Sequence, residues 1–185
     1  MKTFLSAGCA ALEQGKTLLY PTDTIWGIGC DATQPDAVSK VYELKQRSDS
    51  KALICLVSDL EMLEKLTGAL DDNIKALATS VKPTTIIYPK VVGLAENLTA
   101  SDGSVGIRIV QDEFCKKLIN SFGRPIVSTS ANISGNESPK SFSEIDKPIL
   151  DGVDYVVTLR TEEIRTSPST LIFVEKDGTF KTLRA

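Results

Sequence analysis

The chain has 185 residues, 42% hydrophobic and 24% charged, enough for one domain with a buried core. Twenty-one basic and twenty-four acidic side chains leave a net charge of −3, against a strongly basic nucleic-acid coat. There is no histidine, which excludes a Ser-His-Asp or Cys-His nucleophile, a His-ligated metal and a His general base.

From the N-terminus, Phe4, Leu5, Cys9 and Leu12 recur at helical spacing, with Gly15 placed to close the helix. Thr17 to Tyr20 reads as a strand stopped by Pro21. A second helix is predicted from near Thr33, with Pro35 and Asp36 in its first turn and Val38, Val41 and Tyr42 on one face. Lys51 to Val57 reads as an apolar strand. Ser58 to Glu61 has capping-box spacing ahead of a helix, and another helix is expected over Asp71 to Thr79. Strands follow at Thr84–Tyr88 and Val105–Val110. Phe114, Leu118 and Phe122 share one helical face ended by Gly123, and Ile126 to Ser128 is a brief strand. Tyr155–Leu159 and Leu171–Val174 are further strands, and Asp177-Gly178 is a hairpin signal. Helices and strands alternate early and strands dominate late, which predicts a single α/β domain over residues 1–185 with a mixed sheet.

Cys9, Cys30, Cys55 and Cys115 form no CxxC pair and sit among apolar or small neighbours, so they read as buried, reduced thiols. No signal-peptide core follows Met1, and no apolar run approaches the ~20 residues that span a bilayer. A cytoplasmic protein with no membrane contact is expected.

Two motif matches fail on context. Ala10 to Thr17 fits a relaxed phosphate-loop pattern, but that motif needs a strand before its glycines and a helix after, and here the order is reversed. Gly27 to Ala32 fits GxGxxA, yet Thr33-Gln34-Pro35 delays the helix that the fingerprint must open.

Four segments place polar residues at the ends of apolar strands: Tyr20 to Gly27, Leu44 to Arg47, Ser104 to Arg108 and Ser128 to Asn132. Taken singly, each has a plain structural reading. Lys45 and Arg47 suit a solvated helix end, and Ser128 to Asn132 a turn bonding its own backbone. Together their hydroxyls, amide and three cations suit a polyanionic ligand held at strand ends.

The strings YPTDTIWGIGCDA, ELKQR, KPTTIIYP, SVGIRI and STSANISG, in this order from Leu5 to Arg184, resemble the YrdC/Sua5 family of threonylcarbamoyl-AMP synthases. The KxR and SxN signature is Lys45, Arg47, Ser130 and Asn132. Ser48 stands where many members carry proline, and Lys51 where some carry asparagine. The resemblance implies a twisted mixed sheet flanked by helices around a large, positively lined cleft, in the short, single-domain form. It implies condensation of L-threonine, bicarbonate and ATP to threonylcarbamoyl-AMP and pyrophosphate, with Mg²⁺ carried by ATP and no protein metal ligand assigned. The product then passes to a tRNA threonylcarbamoyl-transferase complex for t6A37 modification, with a weak RNA contact as a further partner.

Carried over position by position, the four signature residues are catalytic. Lys45, Arg47, Lys51, Ser104, Ser130, Ser138 and Arg184 bind ATP, and Thr24, Arg108, Ser128 and Ser169 bind threonine. The alternatives are an RNA-binding or YciO-like paralogue of this fold without synthase activity, and a carbamoyl-transfer role like that of the HypF domain.

Overall fold

The computed structural model describes residues 1–46, 53–175 and 179–184. Helix α1 (Lys2–Glu13) closes at Gly15, whose φ of +65° lets its N–H donate to Leu12 O at 3.0 Å and Lys16 N–H to Ala11 O at 3.0 Å. The phosphate-loop pattern is thus a helix exit, leading into strand β1 (Leu18–Tyr20). The glycines of the GxGxxA pattern form strand β2 (Gly27–Gly29), ahead of helix α2 (Pro35–Leu44), which buries Ala37, Val38, Val41 and Tyr42.

Strand β3 (Ile54–Val57) leads to helix α3 (Leu60–Thr67). Its cap is Asp59, not the expected Ser58. The Asp59 carboxylate accepts from Met62 N at 2.9 Å, while the Ser58 hydroxyl donates to that carboxylate at 2.8 Å. The chain continues through α4 (Asp72–Ala78), β4 (Thr84–Tyr88), β5 (Val105–Ile109) and α5 (Glu113–Phe122). It ends with β6 (Ile126–Ser130), α6 (Lys147–Gly152), β7 (Tyr155–Val156), β8 (Thr170–Val174) and β9 (Phe180–Arg184).

Two elements were not among those expected, and one is shorter than expected. Strand β2 has no counterpart among the predicted strands, because two of its three residues are glycine. Helix α6 carries too short an apolar pattern to be seen. Strand β7 is two residues where five were expected, since its partner β1 has only three before Pro21. The expected hairpin turn at Asp177-Gly178 lies outside the described residues, but β8 and β9 pair antiparallel on either side of it, with Val174 opposite Phe180.

The nine strands among the described residues run in the order β7-β1-β2-β6-β3-β5-β4-β8-β9. Pairs β1/β7, β3/β5 and β4/β8 are parallel and the rest antiparallel, as a mixed sheet requires. Alternation along the strands splits the core in two. Leu18, Tyr20, Leu56 and Ile126 pack against α1 and α5, while Leu19, Ile28, Cys55 and Val127 belong to the core that α2, α3, α4 and α6 cover.

Register then sets the floor of a cleft on the first of these faces. Ile54 pairs with Ser128 and Gly106, Leu56 with Arg108, Thr85 with Leu171, and Leu171 with Arg184. Directly paired residues and those two apart on a strand share a face, so these side chains lie on one face in two adjacent rows across six strands. Gly106 keeps its row low: a Cβ there would sit 3.1 Å from Thr85 Cγ2 and 3.3 Å from Ile54 Cγ2.

Gly29 is the tightest of the sheet's glycines among the described residues. A Cβ would lie 2.2 Å from Val127 O and 2.8 Å from Tyr20 Cε1, and backbone cannot yield as a side chain can. Gly29→Ala is therefore expected to lower unfolding free energy by about 3 kcal/mol, measured by urea denaturation; an unchanged midpoint would contradict the strand packing.

Cys30, Cys55 and Cys115 are buried, and loss of hydration raises all three thiol pKa values far above the ordinary range. Cys9 is half-buried and raised less, by burial and then by Glu13. A thiol reagent is expected to modify one of the four cysteines slowly in the native protein and all four in denaturant.

Candidate active site

A cavity of about 400 Å³ opens over the rows of floor residues, a size that accommodates small-molecule ligands. Its walls come from the β1–β2 connection, from β6, from Leu53 and Ile54, and from Pro168 and Ser169 ahead of β8.

Arg108 is a charged residue of the floor and is only 2% exposed. Its Nη2 lies 3.2 Å from Asp23 Oδ1, and its Nη1 donates to Thr24 Oγ1 at 3.2 Å. Among the described residues its Nε is buried without a partner, and Asp23 Oδ1 is close to the guanidinium but poorly aligned to accept from it. The contact is a close ion pair rather than a well-formed hydrogen bond. The other carboxylate oxygen of Asp23 accepts from Gln111 N at 2.8 Å, which fixes it to the segment between β5 and α5. Burial of this pair makes each charge depend on the other.

Thr24 is held by the turn it belongs to. The Thr22 hydroxyl oxygen lies 2.7 Å from Ile25 O, 3.0 Å from Thr24 N and 3.0 Å from Thr24 Oγ1. This is a threonine turn of the kind that replaces ladder bonds where a strand is broken.

The opposite wall is the end of β6. Ser128, Thr129 and Ser130 line the cavity, and Ser138 joins them. Behind them Lys45 is 2% exposed, and its ammonium donates to Ser130 O at 2.6 Å and Asn132 O at 2.7 Å. Lys45 is therefore no solvated helix end; its charge ties the end of α2 to the SxN loop. Asn132 Nδ2 donates to Ile133 O at 2.9 Å and Asn136 O at 2.8 Å, so the amide shapes the turn, and its Oδ1 is buried without a partner among the described residues.

On the far side the Ser169 hydroxyl bonds Thr85 Oγ1 at 2.7 Å, and Arg184 donates to Ser169 O from Nε at 3.0 Å and Nη2 at 2.9 Å. Thus Thr24, Arg108, Ser128, Ser130, Ser138, Ser169 and Arg184 are brought to one cavity, with Lys45 and Asn132 directly behind its wall. Arg47 and Lys51 lie outside the described residues. Ser104 is not brought there. It stands at the other end of β5, roughly 13 Å from Arg108 at strand rise, in a depression with Pro89, Asp102 and Glu175.

Asp23 and Thr22 were missed as functional residues. Both lie inside the quoted motif, but nothing in the linear chain pairs Asp23 with an arginine 85 positions on. The apolar lining of Trp26, Ile54 and Leu171 was missed as well.

The sequence profile of the Sua5/YciO/YrdC proteins, described as "Telomere recombination", matches residues 10–185. The chain belongs to this family. A Methanocaldococcus jannaschii relative is 38% identical over 164 residues, 88% of this chain and 76% of its own length. The threonylcarbamoyl-AMP synthase of Vibrio campbellii is 32% identical over 166 residues, 86% of this chain and 88% of that one. Among solved structures, P. abyssi Sua5 complexed with L-threonine superposes with a TM-score of 0.85 at 26% identity, over 100% of this chain. This chain spans about half of that protein, 54%. E. coli YciO superposes at 0.83 with 20% identity, a likeness of fold alone. The YrdC-like fold expected from the motifs is the one observed.

Proposed function

We propose that this chain is a threonylcarbamoyl-AMP synthase. The observation that carries the reading is the buried Arg108–Thr24 pair on the floor of a cavity whose other wall is Ser128, Thr129 and Ser130. A guanidinium in a pocket suits a small carboxylate, and a hydroxyl-rich wall backed by a lysine suits a nucleotide. Sua5, which shares the fold over the whole chain, has been solved with L-threonine.

In this reading the threonine amine takes up bicarbonate with loss of water to give N-carboxythreonine. The new carboxylate attacks the α-phosphorus of ATP, and pyrophosphate leaves. No protein nucleophile or histidine base is needed. Arg108 and Thr24 hold the amino acid, with Ser128 and Ser169 beside them. Ser130, Ser138 and Arg184, with Arg47 and Lys51, are assigned to ATP. Lys45 and Asn132 fix the loop that presents Ser130, and Lys45 adds positive potential behind it. Catalysis is then positioning and electrostatics in a site that shields a labile carbamate from water. Among the described residues no three Cys, Asp or Glu side chains converge on a metal position. Mg²⁺ is expected on the triphosphate, with hydroxyl oxygens of the β6 wall as hydrogen-bond acceptors for its waters.

Ser104 keeps its nucleotide assignment only if the ligand reaches beyond the cavity. The cytoplasm is the proposed compartment, and the proposed partner is a complex that transfers the threonylcarbamoyl group to tRNA, with a weak RNA contact. No helix among the described residues is long and apolar enough to cross a membrane.

The test is product analysis with ATP, Mg²⁺, L-threonine and labelled bicarbonate. Label is expected in an adenylate, with pyrophosphate released only when all components are present. Arg47→Ala should depress that release far more than it lowers thermal stability. Pyrophosphate release that ignores threonine would overturn the reading.

A further inference from the structure

Thr22 does not line the cavity, yet its hydroxyl decides what the cavity offers. Three groups surround that oxygen: Ile25 O, Thr24 N and Thr24 Oγ1. A carbonyl only accepts and an amide N–H only donates. The single Thr22 hydrogen therefore goes to Ile25 O, and the Thr22 oxygen accepts from Thr24 N. To complete the set, the Thr24 hydroxyl must donate its own hydrogen to Thr22. Arg108 Nη1 can only donate, so it occupies one lone pair of Thr24 Oγ1 at 3.2 Å. What Thr24 has left is one lone pair.

We propose that Thr22 is a specificity-determining positioning residue, which locks Thr24 as a hydrogen-bond acceptor beside the donating Arg108. The inference rests on the synthase reading and adds to it which part of the substrate is recognised. An acceptor next to a guanidinium matches a ligand that carries an N–H or O–H donor next to a carboxylate. A β-hydroxy-α-amino acid has both an ammonium and a hydroxyl to offer. A ligand with only acceptors beside its carboxylate leaves the lone pair of Thr24 unmet, a loss that sites built on buried hydrogen bonds punish.

The experiment is titration calorimetry of wild type, Thr22→Val and Thr22→Ser, with L-threonine, O-methyl-L-threonine (no hydroxyl donor) and 3-hydroxybutanoate (no ammonium). Valine keeps the shape of threonine but frees the Thr24 hydroxyl to rotate. Thr22→Val is expected to weaken L-threonine about 10- to 100-fold, the range for a hydrogen bond to a charged group. Its preference for L-threonine over the analogue lacking the recognised donor should collapse towards one. Which analogue loses its disadvantage identifies the ammonium or the hydroxyl as that donor. Thr22→Ser should restore both affinity and preference to within about threefold, and ATP affinity should stay level across the set. A purely structural role would lower melting temperature and leave the preference ratios intact; intact ratios in Thr22→Val, at a temperature where it is folded, overturn the proposal alone. Failure of wild type to bind L-threonine overturns the synthase reading and the proposal with it.

Discussion

Arg108→Ala is expected to remove threonine-dependent pyrophosphate release and to weaken the fold at once. Removing one partner of a hydrogen-bonded buried charge pair typically costs about 2–5 kcal/mol. If the guanidinium holds the substrate carboxylate, that is roughly 30- to 5,000-fold in kcat/KM for threonine at about 1.4 kcal/mol per tenfold. The stability loss has a separate origin. Asp23, pinned in the interior by Gln111 N, is left without its ion-pair partner. Breaking such a pair from one side costs about 3–5 kcal/mol. The two effects separate in the Arg108→Ala/Asp23→Ala double variant, where no buried charge is stranded. Urea denaturation should show much of the lost stability regained, while threonine binding stays absent. Threonine binding that returns with the stability would mean that Arg108 is only a structural partner of Asp23.

Lys45→Met is expected to have the second largest effect, and by a different route. Methionine retains most of the buried stem but removes the ammonium that joins Ser130 O to Asn132 O; Ser130 O keeps the Asn132 N–H at 2.9 Å, while the buried Asn132 O loses its lysine donor. A buried carbonyl left unmet costs about 1–3 kcal/mol, and stability should fall by about that much. The end of β6 and the SxN turn should then loosen, and kcat/KM for ATP should fall about 10- to 100-fold. Threonine affinity in the absence of ATP should change little, since Arg108 and Thr24 are anchored from β5 and the β1–β2 turn. Lys45→Arg is not expected to rescue, because a planar fork does not replace a compact ammonium that points at two carbonyls. Denaturation and steady-state kinetics read the two effects independently, and an unaltered denaturation midpoint would show that the clamp is not made in solution.

Helices α2 and α5 were readable because each buries an uninterrupted apolar stripe between clear stop signals, proline at the start of α2 and Gly123 with φ +76° after α5. Capping was readable only to within one position. Ser58 and Asp59 both offer an oxygen, and the carboxylate won the amide while the hydroxyl supported it. Strand β2 was not readable, since Gly-Ile-Gly has no strand preference of its own. It is a strand because β1 and β6 flank it, and because Gly29 alone lets Tyr20 and Val127 O approach.

For the site, the chain by itself determined the chemistry in play: no histidine, three cations, a row of hydroxyls, and motif strings in an order that fixed the family. Local patterns carry such information, because residue type and spacing are all they require. What only the tertiary structure decided is which of these groups meet. Register across six strands put Arg108, Ser128 and Arg184 on one face and left Ser104 at the far end of β5. Folding also turned Lys45 inward to a clamp and gave Arg108 its counter-ion in Asp23. Charge pairing and hydrogen-bond direction depend on distances of about 3 Å between residues far apart in the chain, and those distances exist only once the sheet has closed.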